Sequence, residues 1–238
     1  MTMTPKRIFV PTKSASDWQR LLAKPKLHWK RGKSAMSAAA SWEAARSALP
    51  SEITQALEDT GDPALTGLEL VLAIPEWEVP LPGGKTASHT DILAVARNEN
   101  GVVVIGVEAK VDEPFGPTLG EKRAGVSPGQ TVRLEYLHSV LGATTPLPDS
   151  LRYQLLHRTA SAILTAQAFH SPTAVMTVQS FSPDDSWQDD YVAFCEALGA
   201  EPGIGKASPV PGHTSPRLFL AWCAGDQKFR EMEIPGAS

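Results

Sequence analysis

Residues 89–111 read HTDILAVARNENGVVVIGVEAKV. Two apolar runs, 90–97 (TDILAVAR) and 102–111 (VVVIGVEAKV), flank the turn sequence NENG, so an antiparallel hairpin is expected here. The second strand starts apolar on both faces, which suits a central place in a sheet. Side chains alternate along a strand, so Gly106, Glu108 and Lys110 share one face and Val103, Ile105 and Val107 the other. Glu108 and Lys110 follow directly on this apolar run, where a charge is costly unless paired or bound to a metal. Asp91 opens the first strand, and pairing through NENG brings it to the end of the hairpin that carries Glu108 and Lys110. Two carboxylates and a lysine converging at a sheet edge suit a hard divalent cation, Mg²⁺ or Mn²⁺, which takes oxygen ligands and leaves positions for water and phosphate. Such an ion lowers the pKa of a bound water and stabilises charge on a phosphoryl oxygen; a nearby lysine can orient that water.

Outward from the hairpin, helices are expected at 14–23, at 34–48, from Ser51 (SEITQALED), and at 130–141, 151–170 and 186–199, the last capped by Gly199. Strands are expected at 68–74 (LELVLAI), 173–181 (TAVMTVQSF) and 217–223 (RLFLAWC). The stretch PEWEVPLPGGK after the first strand, with its prolines and glycines, reads as an extended arm or loop, and 112–129 reads as loop. Helices, three strands, two helices, strand, helix, strand is an α/β order, a central mixed β-sheet flanked by helices.

Composition bounds the rest. With 238 residues, 42% hydrophobic and 20% charged, the chain can bury a sizeable core, which excludes collagen, coiled coil and wholesale disorder. One large α/β domain over 1–238 is the expectation. Cys195 and Cys223 make neither a disulfide framework nor a four-ligand zinc site. No run of about 18 apolar residues appears, and MTMTPKRIFVPTK lacks an apolar leader core, so a soluble, cytoplasmic protein with no membrane partner is expected.

Charge is uneven. The net charge is −4, yet residues 1–50 hold ten Lys/Arg and two acids. The peak is Lys24, Lys26, Lys30, Arg31 and Lys33, with His28 and Trp29 inside the run. Basic groups pair with phosphates and an indole stacks on a base, so residues 1–33 form a basic extension suited to nucleic acid. The plainer reading is a solvated loop anchored to the core by its tryptophan.

Asp91, sixteen intervening residues and then Glu108-Ala109-Lys110 resemble the signature of the PD-(D/E)XK nuclease superfamily of restriction-endonuclease-like enzymes. The expected element order over 34–181 is similar to that fold's core, with 182–238 adding a helix and a strand. VEAKVDEPFG, HTDIL and RYQLLHRTASA also resemble an uncharacterised bacterial family placed near that superfamily. The resemblance implies a restriction-endonuclease-like core with additional helices at both ends. It implies a metal-dependent nuclease that hydrolyses nucleic-acid phosphodiester bonds, with DNA the first choice of substrate and RNA the alternative. It implies metal binding by Asp91, Glu108 and the carbonyl of Ala109, with Lys110 beside the nucleophile. An extra acid from the first core helix implies Glu43, with Glu69 and Glu76 as alternatives. A glutamine on the helix after the third strand implies Gln154, with Arg158 one turn on as a contact to phosphate or water. The superfamily's proline before the aspartate is replaced by Thr90.

Plainer readings stand beside these. Glu108 and Lys110 can be a same-face ion pair, and Gln154 and Arg158, at i and i+4, a solvated helix face. Gly-Ile-Gly at 203–205 and Pro-Gly-Gly at 82–84 are not phosphate loops. The rival function is a catalytically inactive nuclease-fold module that binds nucleic acid or a protein partner. Cutting both strands together would call for a homodimer.

Overall fold

The computed structural model describes residues 12–235. It is an α/β fold built on one six-stranded mixed sheet with helices on both faces. A 3-10 turn at Ala15–Leu21 leads into helices α1 (Pro25–His28), α2 (Ser34–Ala45) and α3 (Ser51–Glu58). Strands β1 (Glu69–Val79), β2 (Ser88–Asn98) and β3 (Gly101–Lys110) follow, then helices α4 (Leu119–Arg123), α5 (Pro128–Val140) and α6 (Tyr153–Ala168). Strand β4 (Thr173–Ser180), helix α7 (Gln188–Ala197), strands β5 (Ser208–Thr214) and β6 (Arg217–Ala224) and helix α8 (Gln227–Glu231) complete the chain.

The strands lie in the order β1-β2-β3-β4-β6-β5. The first three form an antiparallel meander, β4 runs parallel to β3, β6 runs parallel to β4, and β5 pairs antiparallel with β6 at the far edge. The NENG hairpin is present, with Asn98 paired to Gly101 and Ile92 to Val107. A parallel neighbour needs a crossover, and the 110–172 excursion that ends in α6 supplies it. Central strands buried on both faces read as continuous apolar runs; β4 is buried along its whole length and β3 from Val103 onward.

Alternation splits the core in two. Val103, Ile105, Val107 and Ala109 face α2 and α3, together with Ile53, Leu57 and Trp42. Val104, Met176, Leu220 and Trp222 face α5, α6 and α7, with Leu155, Ile163 and Phe194. Among the described residues, no helix is long and apolar enough to cross a membrane.

Several expectations are corrected. Pro75–Val79, expected as arm or loop, continues β1. Proline is tolerated on an edge strand, where no neighbour needs its N–H. Only the following residues, through Lys85, form the loop. Within 112–129, expected as loop, Leu119–Arg123 forms α4 with a Thr118/Glu121 capping box, and α5 already begins at Pro128 behind a Ser127/Gln130 box. Strand β5 and helices α1 and α8 were not expected from the sequence at all. Pro209, Pro211 and Gly212 explain why β5 does not read as a strand.

Candidate active site

The site is built where β1 and β3 end and β2 begins, beneath α6. Helix residues four apart are separated by about 6.0 Å, and strand residues two apart by about 6.6 Å, so a helix antiparallel to a strand can match it contact for contact over a short distance. Here the matches are Ala162 with Gly106, Arg158 with Glu108, and Gln154 with Lys110. Gly106 is needed for the close approach. A Cβ there would stand 3.3 Å from the Ala162 Cβ, tighter than ordinary packing.

Glu108 is buried and fully engaged. Its Oε1 accepts from Lys110 Nζ at 2.7 Å and from Gln154 Nε2 at 2.6 Å, and its Oε2 accepts from Arg158 Nε. Lys110 also donates to Gln154 Oε1 at 3.2 Å, and its ammonium lies 4.9 Å from the Phe115 ring centre. The expected Glu108–Lys110 pair therefore exists, but as one edge of a buried network.

Asp91 sits one residue beyond the last ladder pair, Ile92 with Val107. There its Oδ2 accepts the Ala109 N–H at 2.8 Å, so a side chain replaces a strand bond. Its Oδ1 lies 3.8 Å from Arg158 Nη2, and 25% of the side chain remains accessible. Glu76 falls between the pairs Pro75–Ile92 and Trp77–Thr90, level with Asp91, at φ +52°. A non-glycine residue in that left-handed region is strained, and such strain gathers at functional sites. Three adjacent strands thus contribute one acid each.

Electrostatics separates the three. Burial works to raise the Glu108 carboxyl, but the Arg158 guanidinium and then the Lys110 ammonium overcome it and hold it at about 2. Burial raises Asp91, helped by the Glu108 charge; Arg158, Lys110 and the Ala109 N–H offset only part of this, leaving it at about 7. Burial likewise raises Glu76 to about 8, with Asp91 the largest like charge beside it. Arg158 is held more firmly protonated: burial opposes the charge, and Glu108 and Asp91 outweigh it. Three acids face two cations, so full ionisation would leave the cluster one charge negative, and the raised values of Asp91 and Glu76 keep the metal-free cluster short of that.

Arg158 Nη1 also donates to Ser88 Oγ at 3.3 Å, and Ser88 Oγ is hydrogen-bonded to His157 Nδ1 at 2.8 Å. Burial first, then the Arg158 charge, keeps His157 well below its ordinary value, so its imidazole is neutral. His157 lies beside Arg158 in the sequence, but nothing there points to Ser88 or to their contact; the packing of α6 on β2 brings the two together.

The cluster forms the floor of a cavity of about 920 Å³. One wall is the N-terminal arm and the start of α2, with Trp18, Leu27, His28, Trp29 and Lys33; the other carries Lys122, Arg133 and Tyr153. Arg133 donates to the carbonyls of Leu81, Pro82 and Thr86, which staples the loop after β1 onto α5. The Pro-Gly-Gly of that loop is a packing device: a Cβ at Gly83 (φ +80°) would stand 2.0 Å from the Gly129 carbonyl oxygen.

The other expected residues fall as follows. Glu43, the first choice for the extra acid, does not reach the cluster. Its Oε1 accepts from Trp18 Nε1 at 2.8 Å and Thr12 Oγ1 at 3.1 Å, whereas Ser34 and Ala35 at the opposite end of α2 reach the cavity. Glu69 is exposed opposite Arg97, at the other end of β1. Glu76 is the alternative that stands beside Asp91. Lys24, Lys26, Lys30, Arg31 and Lys33 are exposed, and of these Lys33 lines the cavity. Arg31 pairs with Glu231 at 2.7 Å. Trp29 is buried, which makes it the anchor of the arm rather than an open stacking platform. Arg158, expected to contact phosphate, is 8% exposed and bound to Glu108.

The donor types fit a hard divalent cation: Glu76, Asp91 and Glu108 offer carboxylate oxygens in excess of the neighbouring positive charge. Among the described residues, however, no three acidic, histidine or cysteine groups stand as a ready-made cation site. Both Glu108 oxygens are taken by Lys110, Gln154 and Arg158.

No curated protein and no solved structure matches the chain. A family model does, over residues 11–227; its description is Domain of unknown function (DUF6946), and the chain belongs to that family.

Proposed function

We propose that this cavity is the active site of a metal-dependent nuclease that hydrolyses phosphodiester bonds, with DNA as the preferred substrate. The observation that carries the reading is the row of three carboxylates, one from each of three adjacent strands, beside Lys110 on the floor of a cavity whose walls carry His28, Lys33, Lys122 and Arg133. The order from α2 to β4, helices, antiparallel meander, helices, parallel strand, supports a restriction-endonuclease-like core.

Asp91 and Glu108 would hold Mg²⁺ or Mn²⁺, with Glu76 and the Ala109 carbonyl as further oxygen donors. The bound ion supplies an acidified water and a counter-charge for the phosphoryl oxygens. The chain's own groups do the rest. Gln154 and Glu108 fix the Lys110 ammonium, which orients the attacking water and neutralises charge gathering on the phosphate. The exposed lysines of the arm attract the polyanion.

The test is incubation of the purified protein with Mg²⁺ or Mn²⁺ and a broad panel of DNA and RNA. Cleavage that chelation, Asp91→Asn and Lys110→Met each abolish supports the reading. Binding of the same nucleic acids with no cleavage under either metal overturns it in favour of an inactive nuclease-fold binding module. That rival has its own supporting observation, the saturation of both Glu108 oxygens by the protein itself.

A further inference from the structure

We infer that Arg158 stands in the place of the divalent cation, that the ion must displace its guanidinium from Glu108 and Asp91 in order to bind, and that the released guanidinium then grips the substrate phosphate. The inference rests on the nuclease reading and adds to it an arginine with two positions.

Three observations carry it. First, the guanidinium lies between the two carboxylates that a shared cation would bridge: Nε donates to Glu108 Oε2, and Nη2 is 3.8 Å from Asp91 Oδ1. Second, charge balance favours exchange over addition. Glu76, Asp91 and Glu108 carry three negative charges when ionised, and Lys110 and Arg158 carry two positive. Once all three acids have given up their protons to receive it, a divalent ion added with Arg158 in place would leave the cluster one charge positive, whereas with Arg158 withdrawn it would be neutral. Buried charge is tolerated when it is balanced. Third, Arg158 has a destination. It lines the same cavity as Lys33 and Lys122, its stem is long, and its fork forms the same bidentate bonds with phosphate as with carboxylate.

Arg158 is thus a positioning residue that couples two binding events. Without the ion it holds the acids together and is itself withheld from substrate. With the ion it becomes the phosphate clamp, so that metal and phosphate favour each other's binding.

The experiment is calorimetric titration of Mn²⁺ into wild type, Arg158→Gln and Asp91→Asn. An ion that must first displace a resident group binds with an affinity reduced by the fraction of open sites, so Arg158→Gln should bind Mn²⁺ roughly tenfold more tightly. Asp91→Asn should lose binding. If Arg158→Gln binds equally or more weakly while Asp91→Asn still loses binding, displacement is overturned and the metal site stands. If neither wild type nor Arg158→Gln binds Mn²⁺, the metal reading falls and takes this inference with it.

Removal of a positive charge tightens cation binding even without displacement, and the glutamine variant can be unstable. A second measurement on the wild type covers both points. Arginine Nε–H resonances are followed by NMR, with that of Arg158 assigned by its absence in Arg158→Lys. In the metal-free protein it should exchange slowly with solvent, and saturating Mg²⁺ should release it to fast exchange. A signal still protected at saturation overturns the inference.

Discussion

Two buried polar networks sit on neighbouring strands and face opposite sides of the sheet. On the α2–α3 side, Gln179 of β4 accepts from Trp42 Nε1 at 3.0 Å and donates to Ser41 Oγ at 3.1 Å and Glu52 Oε1 at 2.6 Å. On the α6 side, Glu108 of β3 binds Lys110, Gln154 and Arg158, with Asp91 and Glu76 close by. The first network holds one charged group and lines no part of the large cavity; it closes on itself and joins α2 and α3 to the sheet. The second crowds five ionisable groups at a cavity floor and leaves two acids at raised values. Buried polarity that serves the fold is satisfied and sparsely charged. The Glu108 cluster instead concentrates charge that its own members do not balance, the pattern that the proposed chemistry would use.

The largest expected contrast comes from Glu108→Gln. It leaves Lys110 and Arg158 without their shared carboxylate, and removing one partner of a buried ion pair costs about 3–5 kcal/mol. Urea denaturation should register that loss, and the proposed hydrolysis should be absent from the same variant. Next is Gln179→Leu, which strands the Trp42, Ser41 and Glu52 groups at a cost of about 1–3 kcal/mol. Mn²⁺ affinity by calorimetry should stay as in wild type; a lower affinity would break the division between the two networks.

A third prediction concerns pH. Folding raises Asp91 from 3.8 to about 7 and Glu76 from 4.5 to about 8. Between these values the native state binds more protons than the unfolded chain, so metal-free stability should fall as pH rises from about 4 to about 8 and then level off. Glu108 acts in the opposite sense: its depressed value contributes stability above about 4.5 that is lost as pH drops toward about 2. Asp91→Asn should flatten the neutral-range decline in thermal unfolding measured across pH. A decline as steep as in wild type would assign the effect elsewhere. The smallest effect is expected from Gly106→Ala. A methyl 3.3 Å from the Ala162 Cβ should push α6 outward at a cost of about 1 kcal/mol. The proposed hydrolysis should fall out of proportion to that cost, because Gln154 and Arg158 ride on α6. An unchanged rate would show that the site tolerates a displaced helix.

The central elements were legible because their signals are local. NENG set the hairpin, the apolar run of β3 set its central place, and alternation put Glu108 and Lys110 on one face. The edges were not, since prolines in β1 and β5 mask strands whose outer side needs no donors. Asp91, Glu108, Lys110, Gln154 and Arg158 were named from the sequence, and the structure brings all five together. Glu43 was preferred to Glu76 because the resemblance implies an extra acid on the first core helix, where Glu43 is the acid, whereas Glu76 lay in a stretch expected as loop. The residue that engages Glu43, Trp18, is 25 positions away, and no local pattern announces that bond. The contact of Ser88 with His157, across 69 residues, was hidden for the same reason.

The pairing of α6 with β3 works as a vernier. Each step along the helix falls short of its strand step by about 0.6 Å, so the two scales coincide at one place and drift apart on either side. Gly106, Glu108 and Lys110 take up the coincidence. A further polar pair added beyond these three matches would meet its partner out of line. The number of groups this surface can align is therefore limited by the two repeats themselves, whatever side chains are placed on them.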